Sequence, residues 1–344
     1  MHEYLVAGPC AAESREQVLT TASQLAAVGI RIFRAGVWKP RTQPGHFEGV
    51  GEPALGWLRE AAHNYGLEVA TEVANREQTL LALQYGIRTL WLGARTTTSP
   101  FLVQEIADAI ASFMCTASDA QPAVRVMVKN PLSPDCSLWL GAIQRMEQAV
   151  GEGRVMAVHR GFQNGQPSGY RNAPVWSIAF ELRRLKPHIP LLLDASHMAG
   201  KRSLIAELCC KAMELGYDGL MLESHCAPDQ ALTDKEQQLS PAELEALVGS
   251  LPKREGASDM GLSELRSRID ETDDTLWALI AQRMQISGRI GEYKREHGIP
   301  VLQSARFAEI ADRRIRWAAE NGLSEECVRA ILNALHEESC KHQI

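Results

Sequence analysis

Through roughly the first 250 residues, short apolar runs alternate with longer stretches of helical periodicity. The runs fall near Tyr4–Ala7, Ile30–Arg34, Glu68–Val73, Thr89–Leu92, Val124–Lys129, Val155–Val158, Leu191–Asp194 and Gly219–Glu223. Between them lie segments such as Glu13–Val28, Glu77–Tyr85, Ser99–Phe113 and Ala173–Leu185, with apolar residues at three- and four-residue steps. An apolar run bounded by turn residues suits a strand buried on both faces. Eight strand-then-helix units match a (β/α)8 TIM barrel, and the count favours it over a doubly wound open sheet. The predicted class is therefore α/β.

The rhythm stops after Leu251. Pro252 to Asp259 is polar and carries Pro and Gly, which reads as a linker. Beyond it, Leu262, Leu265, Ile269, Leu276, Leu279, Ile280, Ile286 and Ile290 mark one long amphipathic helix. Two shorter helices follow, near Ser304–Glu320 and Ser324–His342, separated by Asn321-Gly322. The division is a barrel over 1–251, a linker over 252–260 and an all-α three-helix domain over 261–344. So few residues in three helices make a thin core, and the domain is expected to form a homodimer.

The polar residues gather where a barrel keeps its chemistry, just past the strands. Leu191–Leu193 runs into Asp-Ala-Ser-His197, and Leu220–Leu222 into Glu223-Ser-His, with Asp234 in the loop beyond. His197, Glu223 and Asp234 form a nitrogen and oxygen donor set suited to a divalent first-row metal, although helix caps or ion pairs would use the same residues. Closure of the barrel would bring Cys10, at the end of the first strand, beside Glu223. Cations end other strands: Arg34 with Lys39 and Arg41, Arg95, Lys129, and Arg160. Around one mouth they would repel each other unless anions neutralise them, so they ask for a strongly anionic, phosphorylated substrate.

Composition narrows the class further. A net charge of −6 and a pI near 6.0 argue against nucleic acid or an anionic membrane as main partner. No apolar run reaches spanning length, and no leader opens the chain. Eight cysteines, with Cys209 and Cys210 adjacent, are not spaced as a disulfide framework, and a cytoplasmic location is expected.

Gly-Pro-Cys-Ala-Ala-Glu-Ser14, Lys-Pro-Arg-Thr42, Gly-Ala-Arg95, Asp-Ala-Ser-His197 and Leu-Glu-Ser-His225 resemble 3-deoxy-D-arabino-heptulosonate 7-phosphate (DAHP) synthase. The likeness is to the small bacterial subtype that shares its barrel with Kdo8P synthases. It implies condensation of phosphoenolpyruvate with erythrose 4-phosphate, the first step of the shikimate pathway. Carried over by motif, Cys10, His197, Glu223 and Asp234 would ligate a divalent metal ion, whether Mn, Fe, Co or Zn. Arg34, Lys39, Ala94, Arg95, Lys129 and Arg160 would bind phosphoenolpyruvate, with Lys129 also able to pass a proton. Arg41 and Thr42 would hold the sugar phosphate. The rival reading is a Kdo8P synthase using arabinose 5-phosphate, against which Lys-Pro-Arg-Thr42 speaks. His159 and Asn130-Pro131 depart from the family pattern and are expected to alter the geometry beside phosphoenolpyruvate.

In the tail, Leu-Arg266-Ser-Arg-Ile-Asp, Gln-Arg283, Tyr-Lys294, Ser-Ala-Arg306, Ser339 and Gln343 resemble the all-helical chorismate mutases. The resemblance implies conversion of chorismate to prephenate. Arg283 and Arg306 would clamp carboxylates, with Ser339 beside them, and Lys294 and Gln343 would face the ether oxygen. Arg266 would come from the partner chain. Gln303 and Phe307 stand where relatives often carry acids, which keeps a non-catalytic sensing and dimerisation module as the rival. Only Met1–Glu3 precedes the first strand, so the tail is the expected sensor, with prephenate or chorismate inhibiting the barrel.

Overall fold

Eight parallel strands close on themselves in the computed structural model of the chain, each strand paired with the next and the last with the first. The strands are β1 (Tyr4–Gly8), β2 (Ile32–Arg34), β3 (Glu68–Val73), β4 (Thr89–Leu92), β5 (Arg125–Lys129), β6 (Val155–His159), β7 (Leu191–Asp194) and β8 (Gly219–Glu223). Among the described residues ten α-helices accompany them: α1 (Arg15–Ala27), α2 (Glu52–Tyr65), α3 (Arg76–Gln84), α4 (Ala94–Thr97), α5 (Pro100–Thr116), α6 (Cys136–Val150), α7 (Trp176–Leu185), α8 (Ala195–Ala199), α9 (Ile205–Glu214) and α10 (Pro241–Ser250). The structure describes residues 4–39, 45, 47–116, 123–163, 169–252 and 260–343, with only the backbone at 260–264, 304 and 305. The open-sheet alternative is excluded by the pairing of β1 with β8.

Side chains in a strand alternate faces, and the barrel uses both. Outward positions such as Leu5, Phe33, Leu90, Val128 and Leu193 pack under the helices in one large apolar layer. Inward positions Val6, Ile32, Ala70, Trp91, Met127, Val158, Leu192 and Met221 plug the barrel in a second cluster. Two residues further on, the same inward face presents Gly8, Arg34, Glu72, Gly93, Lys129, Arg160, Asp194 and Glu223. The apolar plug thus ends one layer below a ring of charge at the C-terminal mouth.

Local signals set the element ends. Ser14, Asn75 and Asp135 each accept a hydrogen bond from the first turn of their helix, and Ser240 with Glu243 forms a capping box. β2 begins at Ile32 rather than Ile30. α7 begins at Trp176 rather than Ala173, because Ala173 bridges Phe162 and Pro174 follows it.

The chain divides into two compact units, Met1–Lys253 and Arg254–Ile344. The second consists of α11 (Met260–Glu296), α12 (Ser304–Glu320) and α13 (Glu325–Gln343). Among its described residues few apolar side chains are buried, chiefly Met284, Ala311, Ala318 and Val328. Leu265, Ile269, Leu276, Leu279, Ile286 and Ile290 remain exposed along one stripe of α11. Among the described residues, no helix is long and apolar enough to cross a membrane.

Candidate active sites

At the barrel mouth a cavity of about 240 Å³ is lined by Lys39, Glu72, Ala94, Arg95, Lys129, Arg160, Arg171, Asn172, His197 and Asp234, among others. Arg34 and Lys129 are buried beside the Trp91 ring, their cationic groups 4.8 and 5.8 Å from its centroid. Trp91 donates Nε1–H to Glu72 at 2.9 Å, and Gly93 leaves room for that carboxylate, which any side chain there would overlap. Arg160 finds only neutral oxygens among its described partners, Asn172 Oδ1 at 2.9 Å and the Gly161 carbonyl at 3.5 Å. Burial lowers its pKa to about 10. A guanidinium whose described hydrogen-bond partners are neutral, with Asp194 and Glu72 acting on it only through their charge, suits an incoming anion.

Cys10, His197, Glu223 and Asp234 converge beside these cations, with one donor atom of each within 4.8 Å of the others. The Cys10 thiol donates to Asp234 Oδ2 at 3.1 Å, and Lys39 Nζ lies 3.0 Å from the sulfur. Burial and then the Glu223 charge push the thiol pKa up. Burial works against ionisation of Glu223 and Asp234, but His197 and the nearby cations hold both below the usual carboxylate range. Glu223 Oε1 is buried without a well-formed hydrogen bond, but it is ion-paired with Arg34 Nη2 at 3.1 Å and lies 3.5 Å from His197 Nε2. Asp234 adopts a left-handed backbone (φ 46°) and is held by Arg171 Nη1 at 2.9 Å. The residues fit a divalent first-row ion: a soft thiol, an imidazole and two hard carboxylates converge on one point.

Sequence reasoning missed the residues that orient this cluster. Asp194, fully buried, caps α8 by accepting from His197 N at 3.1 Å. It also accepts from His197 Nδ1 at 2.9 Å and Lys129 Nζ at 2.7 Å. Burial opposes its charge, but His197 and Lys129 hold its pKa well below normal. Because an ionised carboxylate only accepts, Nδ1 carries the ring proton and Nε2 is left facing Glu223. Asn172 donates to the His197 carbonyl at 2.6 Å while accepting from Arg160. Strand parity would have found Glu72 and Asp194, each two residues beyond an inward apolar residue.

The two departures take different places in the structure. His159 does not face the mouth. It has outward parity, lies fully buried among Trp139, Phe162, Trp176 and Tyr217, and shares a 2.7 Å hydrogen bond with the Tyr217 hydroxyl. Burial lowers its pKa to about 3. Asn130 clamps β5 to β6 instead: its amide donates to the Gly161 carbonyl and its oxygen accepts from Arg160 N at 2.7 Å. Arg41 and Thr42 lie outside the described residues.

In the helical unit, α13 presents His336, Ser339 and Gln343 on one face. Arg283 Nη1 donates to the Leu335 carbonyl at 3.1 Å and to Ser339 Oγ. Lys294 Nζ donates to Gln343 Oε1 and to the Val301 carbonyl, both at 2.9 Å. Phe307 packs against His336 with ring centroids 4.3 Å apart and the planes tilted by 35°. Arg306 is turned to Glu309 at 2.7 Å, and Arg266 is exposed on α11, seventeen residues before Arg283. The chain thus brings Arg283, Lys294, Ser339 and Gln343 together, but not Arg266.

A closed barrel whose mouth concentrates cations beside a metal-competent cluster defines an enzyme acting on strongly anionic substrates. The family follows from comparison with known proteins. Residues 2–254 match the DAHP synthetase I family and residues 265–344 match chorismate mutase type II. The chain belongs to the DAHP synthetase I family and carries a fused chorismate mutase domain, making it a bifunctional enzyme of the shikimate pathway. A crystal structure of phospho-2-dehydro-3-deoxyheptonate aldolase (DAHP synthase) from Thermotoga maritima is 28% identical, with a TM-score of 0.61 over 72% of this chain and 67% of that one. A 2-dehydro-3-deoxyphosphooctonate aldolase of Rhodopseudomonas palustris is 25% identical over 72% of this chain and 86% of that protein. A 4-amino-4-deoxychorismate mutase of Streptomyces venezuelae is 34% identical over 80 residues, covering 23% of this chain and 78% of that protein.

Proposed function

We propose that the barrel condenses phosphoenolpyruvate with erythrose 4-phosphate in a metal-dependent reaction. Arg34, Lys39, Arg95, Lys129 and Arg160, with the backbone at Ala94, hold the carboxylate and phosphate of phosphoenolpyruvate, and Arg41 and Thr42 hold the sugar phosphate. The observation that carries this is one cavity lined by Arg160 and Lys129 together with His197 and Asp234, two members of the Cys10, His197, Glu223 and Asp234 cluster. Cys10, His197, Glu223 and Asp234 would hold a divalent ion, which would supply Lewis acidity beside the aldehyde. The cations orient the enol so that its methylene carbon forms the new bond to the aldehyde carbon, already in place before reaction. Water then adds at the enol carbon, and the carbon–oxygen bond to phosphate breaks. Lys129 lies where it can exchange a proton with the phosphate oxygen as it leaves.

Phosphoenolpyruvate consumption, measured with erythrose 4-phosphate against arabinose 5-phosphate, tests the reading. Activity should vanish with chelator and return with Mn, Fe, Co or Zn. Preference for arabinose 5-phosphate, or full turnover after complete metal removal, would overturn it.

For the tail the proposal is chorismate mutase action in a homodimer, with the exposed stripe of α11 as the contact face. Arg283, Arg306 and Ser339 hold carboxylates, Lys294 and Gln343 face the ether oxygen, and the partner's copy of α11 supplies Arg266. Similarity of the tail to a 4-amino-4-deoxychorismate mutase makes 4-amino-4-deoxychorismate a second candidate substrate; turnover of both compounds by one preparation separates the readings. The domains are read as 1–251 and 261–344 with a linker at 252–260, of which 253–259 lie outside the described residues and Met260 already belongs to α11. A location in the cytoplasm accords with eight free cysteines. Prephenate or chorismate binding to the tail inhibits the barrel; deletion of residues 253–344 should leave condensation indifferent to both, and persisting inhibition would overturn this.

A further inference from the structure

We propose that Gly291 is a positioning residue of the mutase: its missing side chain lets the last turn of α13 seat Gln343 against Lys294. The inference rests on the reading of Lys294 and Gln343 as the pair facing the reacting ether. Gly291 lies one turn before Lys294, on the face of α11 that meets α13. That face is small and close-packed, with Met284 touching Ser339 Oγ through its sulfur at 3.7 Å. A β-carbon built on Gly291 would stand 2.6 Å from Gln343 Cα and 2.8 Å from its carbonyl oxygen. Carbon atoms settle at about 3.5–4.0 Å, so accommodating one methyl requires a backbone shift on the order of 1 Å.

The shift would fall on α13 rather than α11. Gln343 is the last residue of α13, where few interactions resist displacement, whereas Gly291 is followed by more than a further turn of α11. Moving Gln343 withdraws its Oε1 from Lys294 Nζ, now 2.9 Å away. Such a displacement removes the geometry of the pair while leaving most of the helical packing in place. Gly288 provides the control on the same face: its nearest neighbour to an added β-carbon is the His342 carbonyl oxygen at 3.8 Å, an ordinary contact.

The test uses the full chain, with condensation activity and helix content monitored beside mutase kinetics. Gly291→Ala should lower mutase kcat by roughly 10–100-fold, the scale of a 1 Å misplacement, while Gly288→Ala stays within about twofold of wild type. Combining Gly291→Ala with Gln343→Ala should cost no more than Gln343→Ala alone, since both remove the same interaction. Removing residues 343–344 takes away the obstacle, so in that background Gly291→Ala should raise the melting temperature of the tail instead of lowering it. Normal turnover in Gly291→Ala, or losses that multiply in the double variant, would overturn the role of Gly291 and leave the site reading standing. Unchanged turnover in Gln343→Ala would overturn both.

Discussion

Replacing Asp194 by asparagine removes one negative charge from the interior and changes almost no volume. Its oxygens accept from Lys129 Nζ at 2.7 Å and from His197 N and Nδ1 at 3.1 and 2.9 Å. The amide would place two further hydrogens among these donors and leave the Lys129 ammonium, only 5% exposed, without its carboxylate. Breaking a buried pair in this way costs about 3–5 kcal/mol. At roughly 2–4 °C per kcal/mol for a domain of this size, the barrel transition should fall by roughly 6–20 °C. Adding Lys129→Met removes the stranded charge and should recover much of that loss. Calorimetry of the wild type, the two single variants and the double variant closes the cycle.

The sign with pH follows from the depressed pKa of Asp194. The stabilisation is present above the ordinary carboxylate range and is lost as pH falls through the folded value. The wild type should therefore approach the Asp194→Asn protein as pH falls below about 4. His197 also loses the acceptor that fixes its ring, so metal affinity in competition with a chelator should fall about 10–100-fold. A variant melting within about 2 °C of wild type, or no recovery with Lys129→Met, would refute the reasoning.

Three further outcomes are expected. His159 has a pKa lowered to about 3, so the unfolded state takes up a proton below about pH 6.5 that the folded state refuses; the wild type should lose about 2 kcal/mol by pH 5, and His159→Gln should lack this slope in denaturant titrations. Cys10→Ser should lose both bound metal, read by elemental analysis, and condensation activity; an active, metal-replete variant would remove Cys10 from the ligand set. Arg266→Ala and Arg283→Ala proteins should each be nearly inactive as mutases, yet subunit exchange at equal amounts should restore about a quarter of wild-type sites. The two residues lie about 25 Å apart along α11, too far to serve one ligand from one chain. Absence of restored activity with heterodimers formed would place Arg266 outside the site.

The sequence by itself determined the elements and the chemistry on offer. Apolar runs such as Leu191–Leu193 and Leu220–Leu222 are legible because strands buried on both faces need uninterrupted apolar residues. Cys10, Arg34, Lys129, His197 and Glu223 stood out because each interrupts such a run abruptly. Glu72 and Asp194 were also within reach, through the two-residue period that carries an inward apolar residue to an inward polar one. The same period places His159 on the outer face, so its distance from the mouth was legible too. Only tertiary structure decided which partners meet. Asp194 joining Lys129 to His197, Asn172 joining Arg160 to His197, and Gly291 lying under Gln343 are contacts between segments far apart in the chain. No local pattern encodes them, because barrel closure and helix packing, rather than residue propensity, set which side chains come within bonding distance.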